Sequence, residues 1–359
     1  LPIDGWLISR YPLLLLLIGG VGMYQFLARR LVGGQAAFLG AASYLLTPFV
    51  FNAFIAGYLK FFVSYAAVPF LIWALLDWVR DRSPRTLFLS TIAFGLVSTQ
   101  ANFLILFGLL IPLMLGYLLL TERDWRRLVS GLLLYLGPLL LQAPLFLEPI
   151  RLLLGGQGQV VLTNFSRALD SFITLQAQPL YFANSLIGLR LEYFFPAVTA
   201  HSQLLSRLWQ LTRLGLFMLP VLALFWRRRD RLVGLFGLSW LLGLFLFKGT
   251  NPPFGELTRW LFFHVPLLSV LRNISYLSVL LAPVVAILSA IGVHELLIRL
   301  SGRRQLWSFG LIFLMISTTA YPFFSGNFYD NIRPYEISQS TTNLYQWLRD
   351  EPGLFRAWL

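Results

Sequence analysis

The chain has 359 residues, of which 57% are hydrophobic and only 12% charged, and its mean hydropathy is +0.72. A soluble domain carries about a quarter charged side chains, so a water-soluble enzyme is excluded. The formal charge of +13 comes almost wholly from arginines beside apolar runs, a pattern of membrane topology rather than of a nucleic-acid footprint. The absence of cysteine removes disulfides, thiolate metal sites and cysteine nucleophiles, and three histidines leave little for a histidine metal cluster. No cofactor is identified and no metal ligand set is assigned. The scarcity of outer carboxylate pairs argues against a dedicated divalent-ion site.

A spanning helix needs about 20 apolar residues. In chain order the apolar runs lie near Trp6 to Ala28, Gln35 to Phe51, Phe61 to Val79, Thr86 to Val97 and Phe103 to Leu120. They continue near Leu128 to Leu147, Leu208 to Trp226, Leu232 to Phe247, Ile274 to Ile298 and Leu306 to Phe324. These runs predict an all-α, polytopic transmembrane bundle of about ten spans over residues 1–324, with a long outer segment at 148–207. Residues 325–359 read as the start of an extracytoplasmic domain. The beginning at Leu1 and the ending at Trp358-Leu359 both read as truncations of a longer protein.

Arginines mark every second boundary: Arg29-Arg30; Arg80, Arg82 and Arg85; Arg123, Arg126 and Arg127; Arg227 to Arg231; and Arg299, Arg303 and Arg304. Short loops rich in Lys and Arg stay in the cytoplasm. The alternation therefore predicts a multi-pass protein of the plasma membrane with both ends of the fragment outside. Thr86 to Leu120 must leave and regain the cytoplasmic side in about 35 residues, arms of about 26 Å each. The turn Ser98-Thr99-Gln100-Ala101-Asn102 is thus expected below the outer surface, either at a thinned bilayer or lining a cavity.

Three outer segments are long enough for chemistry: Glu148 to Arg207, Lys248 to Asn273, and the tail from Ser325. Gly155-Gly156-Gln157-Gly158-Gln159 lacks the Gly-Lys-Ser/Thr ending of a phosphate loop and reads as a flexible link. His294-Glu295 begins like a zincin helix, but the position four residues on is Ile298, so the motif is rejected and the pair is assigned to the cytoplasmic interface. A transferase needs a carboxylate as general base, and an ion-coupled transporter needs acidic groups near the midplane. No acidic residue falls at the centre of any predicted span, which disfavours transport through a charged relay.

In the 148–207 segment, Asp170 and Glu192 stand among aromatics and are the better carboxylate candidates, although the same composition suits an amphipathic interfacial helix. Both lysines, Lys60 and Lys248, fall at predicted outer helix ends. Each is either a snorkelling side chain or a compact charge for a phosphate. Tyr58 accompanies Lys60, and Arg259 and Arg272 accompany Lys248, so these five residues form the candidate lipid-phosphate set.

The segment Ile18-Gly19-Gly20-Val21-Gly22 to Arg29-Arg30-Leu31 is followed by Ala41-Ala42-Ser43-Tyr44-Leu45-Leu46-Thr47-Pro48-Phe49 and Ala56-Gly57-Tyr58. It resembles large bacterial and archaeal membrane proteins of the GT-C glycosyltransferase superfamily. In particular it is similar to the polytopic proteins related to 6-pyruvoyl-tetrahydropterin synthase and to the lipoteichoic-acid glycosylation type. Gly249-Thr250-Asn251-Pro252-Pro253-Phe254-Gly255 and then Leu271-Arg272-Asn273 match the pattern those families carry before a late transmembrane helix. The tail from Tyr345 to Arg356 is similar to the start of their extracytoplasmic domain.

The resemblance implies an outward-opening cavity, a polyprenyl-phosphate-linked sugar as donor, and transfer to a glycan or lipid outside. It also implies a catalytic acid in the first outer loop, of which Leu1 to Trp6 looks like only the last residues and Asp4 a remnant or a helix-start acid. The family's late motif often continues with a basic residue where this chain has Tyr276, a departure that weakens Arg272 as part of a phosphate clamp. Beside the enzyme, two other classes fit: a non-catalytic membrane subunit binding lipids and protein partners, and a transporter of a lipid or neutral solute.

Overall fold

The computed structural model describes residues 5–47, 49–50, 53, 59–81, 83–99, 103–104, 106–108, 111–112, 116, 131–141, 203–247, 254–264 and 277–319. Every regular element among them is helical. The first half contains α1 (Gly5–Arg30), α2 (Gly34–Leu45), α3 (Leu59–Asp81) and α4 (Pro84–Val97), then a 3-10 turn at Leu132–Tyr135 that opens the apolar helix Leu132–Leu141. The second half contains α5 (Gln203–Trp226), α6 (Arg231–Phe247), α7 (Gly255–His264), α8 (Leu277–Ile298) and α9 (Arg303–Thr319).

Three stretches are long and apolar enough to cross a membrane: Tyr11–Arg30, Phe61–Asp81 and Leu277–Ile298. Pro84–Val97, Leu132–Leu141, Leu214–Trp226 and Arg231–Leu246 are shorter apolar helices. The early part of α5 carries Arg207 and Arg213, and its apolar portion includes Leu214–Trp226. Large apolar side chains such as Leu17, Val21, Phe88, Leu140, Phe225 and Leu311 stay exposed on the bundle surface. So extensive an apolar exterior suits lipid contact and not water.

Local signals set several helix ends. Ser83 accepts the Thr86 N–H at 3.1 Å and Pro84 follows as the first helical residue, together starting α4. Asp230 accepts the Leu232 N–H at 2.9 Å and starts α6. The sequence predicts a run through Phe51 for α2, yet the helix has 12 residues, about 18 Å. Thr47 precedes Pro48, and the residue before a proline disfavours helical backbone, which accounts for the early stop.

α8 is the central element and packs against α2, α5, α6 and α9, with lesser contacts to α1 and α3. Small residues let the backbones close up. Gly40 of α2 sits against Ala286 and Ala290, and a methyl at Gly292 would overlap the Leu219 carbonyl of α5. α1 and α3 run parallel in constant register: Gly19 faces Ala66, Gly22 faces Phe70, and Arg30 bonds Asp77. α5 and α8 are likewise parallel, with Leu219 beside Gly292 and Arg227 on Glu295.

The remaining neighbours are antiparallel. Gly20 meets Leu45 across α1 and α2, Gly243 meets Leu281 across α6 and α8, and Gly215 meets Met315 across α5 and α9. Helices α1, α3, α5 and α8 therefore run toward one end of the bundle, and α2, α4, α6 and α9 run away from it. Four of the five arginine clusters collect at that end. The fifth, Arg123, Arg126 and Arg127, lies outside the described residues, as does Arg82.

Candidate functional site

The arginine end is held together by ion pairs that link separate helices. Glu295, on the last turn of α8, is 6% exposed and accepts from Arg227 Nε at 2.6 Å and Arg299 Nη1 at 2.5 Å. Arg299 also donates to the Glu295 carbonyl and lies 4.5 Å over the Trp226 ring. Asp230 stands 3.9 Å from Arg227. Arg30 donates to Asp77 at 2.8 Å, joining the ends of α1 and α3, and Arg29 covers Trp73 at 5.7 Å.

Between the halves, the Gly33 N–H donates to His294 Nδ1 at 3.4 Å and Gln305 donates to Gln35 at 3.3 Å. A buried carboxylate this close to two guanidiniums is stabilised by charge-assisted bonds, whereas an unpaired one would be costly. The sequence assigns His294 and Glu295 to the interface. The structure instead makes Glu295 a buried hub and ties His294 to the α1–α2 connection.

The far end is built from hydroxyls and aromatic rings. Tyr44 of α2 and Tyr65 of α3 stack at 4.2 Å with their planes 4° apart. Each hydroxyl donates to the other residue's backbone carbonyl, at 2.5 and 2.6 Å. Phe61 packs between Phe49 at 6.4 Å and Phe103 at 5.2 Å. Ser64 and Thr99 share a hydrogen bond of 2.6 Å, Ser98 donates to the Phe94 carbonyl, and Thr319 donates to the Leu46 carbonyl at 3.0 Å. The start of the Ser98 to Asn102 turn is therefore packed inside protein, where its hydroxyls find partners. Gln100, Ala101 and Asn102 lie outside the described residues.

Lys60 belongs to the first turn of α3, at this same far end. Arg259 is exposed on α7, a helix that follows the far end of α6 and precedes the far start of α8 in the chain. Phe254, with φ of 63°, introduces α7. Thr258 is buried, and Trp260 is exposed and stacks on His264 at 4.9 Å. Tyr58, Lys248, Arg272, Asp4, Asp170 and Glu192 lie outside the described residues.

Of the five described carboxylates, Asp77, Asp81, Asp230 and Glu295 stand at the arginine end, and Glu256 lies on α7. Among the described residues no group of three or more His, Asp or Glu side chains is placed to hold a metal ion. Helix α7 escapes the hydropathy reading because it is short and half polar. Its signal was the Gly255-Glu256 start, where an acid in the first turn favours a helix. Comparison with family models, with curated proteins and with solved structures finds no match to this chain.

Proposed function

We propose that the chain is a multi-pass membrane protein of about ten spans, with its arginine end in the cytoplasm of a prokaryotic cell and residues 1 and 359 both on the outer side. On this reading it follows the GT-C plan and transfers a sugar from a polyprenyl-phosphate donor at the outer face. The observation that carries it is the sorting of charge. Four arginine clusters share one end, while Lys60 begins a helix at the other, and Lys248, Arg259 and Arg272 fall between the far ends of α6 and α8 in the chain.

The chemistry needs a carboxylate to take the acceptor's proton and cations to hold the departing lipid phosphate. Asp170, Glu192 and Asp4 are the candidates for the first role, and Tyr58, Lys60, Lys248, Arg259 and Arg272 for the second. Replacing Lys248 and Arg272 together by Gln should abolish photo-crosslinking to a polyprenyl-phosphate sugar. Undiminished crosslinking sinks the assignment.

A second reading is a non-catalytic membrane subunit. It draws support from Glu256, which is exposed and is the one described carboxylate away from the arginine end. Purification in mild detergent separates the two readings, because a stoichiometric partner with no bound lipid-linked sugar favours the subunit.

A further inference from the structure

The arginine end carries far more cation than its fold consumes. Among the described residues eleven arginines stand there against four carboxylates. Glu295 is spent on Arg227 and Arg299, Asp77 on Arg30, and Asp230 on starting α6 beside Arg227. Arg228 and Arg229, in the turn between α5 and α6, and Arg303 and Arg304, opening α9, are all exposed, and no ion pair holds them among the described residues. Crowding like charges costs free energy unless counter-charge is supplied from outside.

The helix register brings these four residues to one corner. α5 and α9 pack antiparallel, and Gly215 lies against Met315. Moving eleven residues along each helix from that crossing reaches Trp226 on α5 and Arg304 on α9, so the α5–α6 turn and the first turn of α9 are level. Directly below Arg303 and Arg304, on the membrane side, Leu306 and Trp307 are 69% and 77% exposed. Guanidinium above and an uncovered apolar wall beneath is the profile of a phospholipid: a phosphodiester head for the forks and acyl chain for the wall. The fork geometry of arginine matches phosphate oxygens two at a time, and basic residues beside a membrane are drawn to anionic lipid.

We infer that the corner formed by Arg228, Arg229, Arg303 and Arg304 above Leu306 and Trp307 is a binding site for an anionic phospholipid of the leaflet that the arginine end faces. This rests on the membrane-spanning reading, and its test separates the two. The full chain is reconstituted into vesicles of phosphatidylcholine with phosphatidylglycerol, extracted gently, and its retained lipids are counted by native mass spectrometry. Wild-type protein should keep phosphatidylglycerol at least tenfold over its share in the vesicle.

The variant Arg228→Gln/Arg229→Gln/Arg303→Gln/Arg304→Gln should lose that enrichment. Arg80→Gln/Arg85→Gln, at the same end of the bundle but on α3 and α4, should keep it. Lysine replacements at the four positions should retain part of it, which also shows that the site still folds. Equal retention of both lipids, an equal loss in the Arg80/Arg85 variant, or displacement of the lipid by millimolar inorganic phosphate each overturns the site. Vesicles that fail to integrate the chain against alkaline extraction overturn the spanning reading itself, whereas integrated protein without lipid preference overturns the site alone.

Discussion

Tyr44 and Tyr65 bind each other in two ways, ring on ring and hydroxyl on carbonyl, so α2 and α3 are joined at one point by one stack and two hydrogen bonds. A hydrogen bond between helices in a membrane contributes roughly 0.6 kcal/mol on average and up to about 1.7. Tyr44→Phe and Tyr65→Phe should each lower stability by about that amount. In a double-mutant cycle the pair should cost less than the sum, because removing one hydroxyl loosens the stack that positions the other. Denaturation in detergent monitored by fluorescence reads both effects.

Glu295→Ala removes the shared acceptor of two arginines at the ends of α5 and α8. It should cost about 1.5–3 kcal/mol, the range for bonds to charged groups, in the same unfolding assay. Tyr44 stands in the segment that carries the family resemblance, but nothing in the sequence pairs it with Tyr65. An apolar run specifies that a helix is buried and leaves the aim of its few hydroxyls to tertiary packing.

Helix positions follow from hydropathy because the bilayer demands long apolar runs, and the runs around α1, α3, α6 and α8 agree with the structure to within a few residues. The failures have physical causes as well. α2 stops at a residue preceding proline, and α7 is too short and too polar for a hydropathy window. Register is less legible still, since it depends on where glycine and alanine on one helix meet bulk on another.

Gly292 and Gly310 test that dependence. A methyl at Gly292 would strike the Leu219 carbonyl, so Gly292→Ala should destabilise by about 1–3 kcal/mol as α5 and α8 are forced apart. Gly310 has open space around its Cβ position, and Gly310→Ala should stabilise α9 by about 0.5–1 kcal/mol through backbone entropy alone. Thermal scans of both variants in one detergent give the comparison, and equal shifts would show that helix propensity rather than contact governs the pair.

For the molecule as a whole, the sorting of arginines is the feature that sequence reasoning reaches most directly, because charge patterning and chain direction are both one-dimensional. The candidate site is the least legible: of eight proposed residues only Arg259 falls at a fully described position, with Lys60 placed by its backbone. The chain has no cysteine, so single replacements report topology cleanly. Ser301→Cys, at the arginine end, should react with a membrane-impermeant maleimide only after the cell is opened. Glu256→Cys on α7 should react in intact cells. The reverse pattern would invert the assignment of inside and outside.

The contact between Gly292 and Leu219 also limits how this bundle is able to move. Sliding α8 along α5 by about one turn would bring Leu288 or Leu296, the next residues on the same helix face, onto the carbonyl that now meets a bare hydrogen. Shear between the two is blocked, and they travel as a single strut with Arg227 and Glu295 as its bolt. A change of shape in the bundle is then easier as a tilt of that strut against its neighbours than as a slide within it.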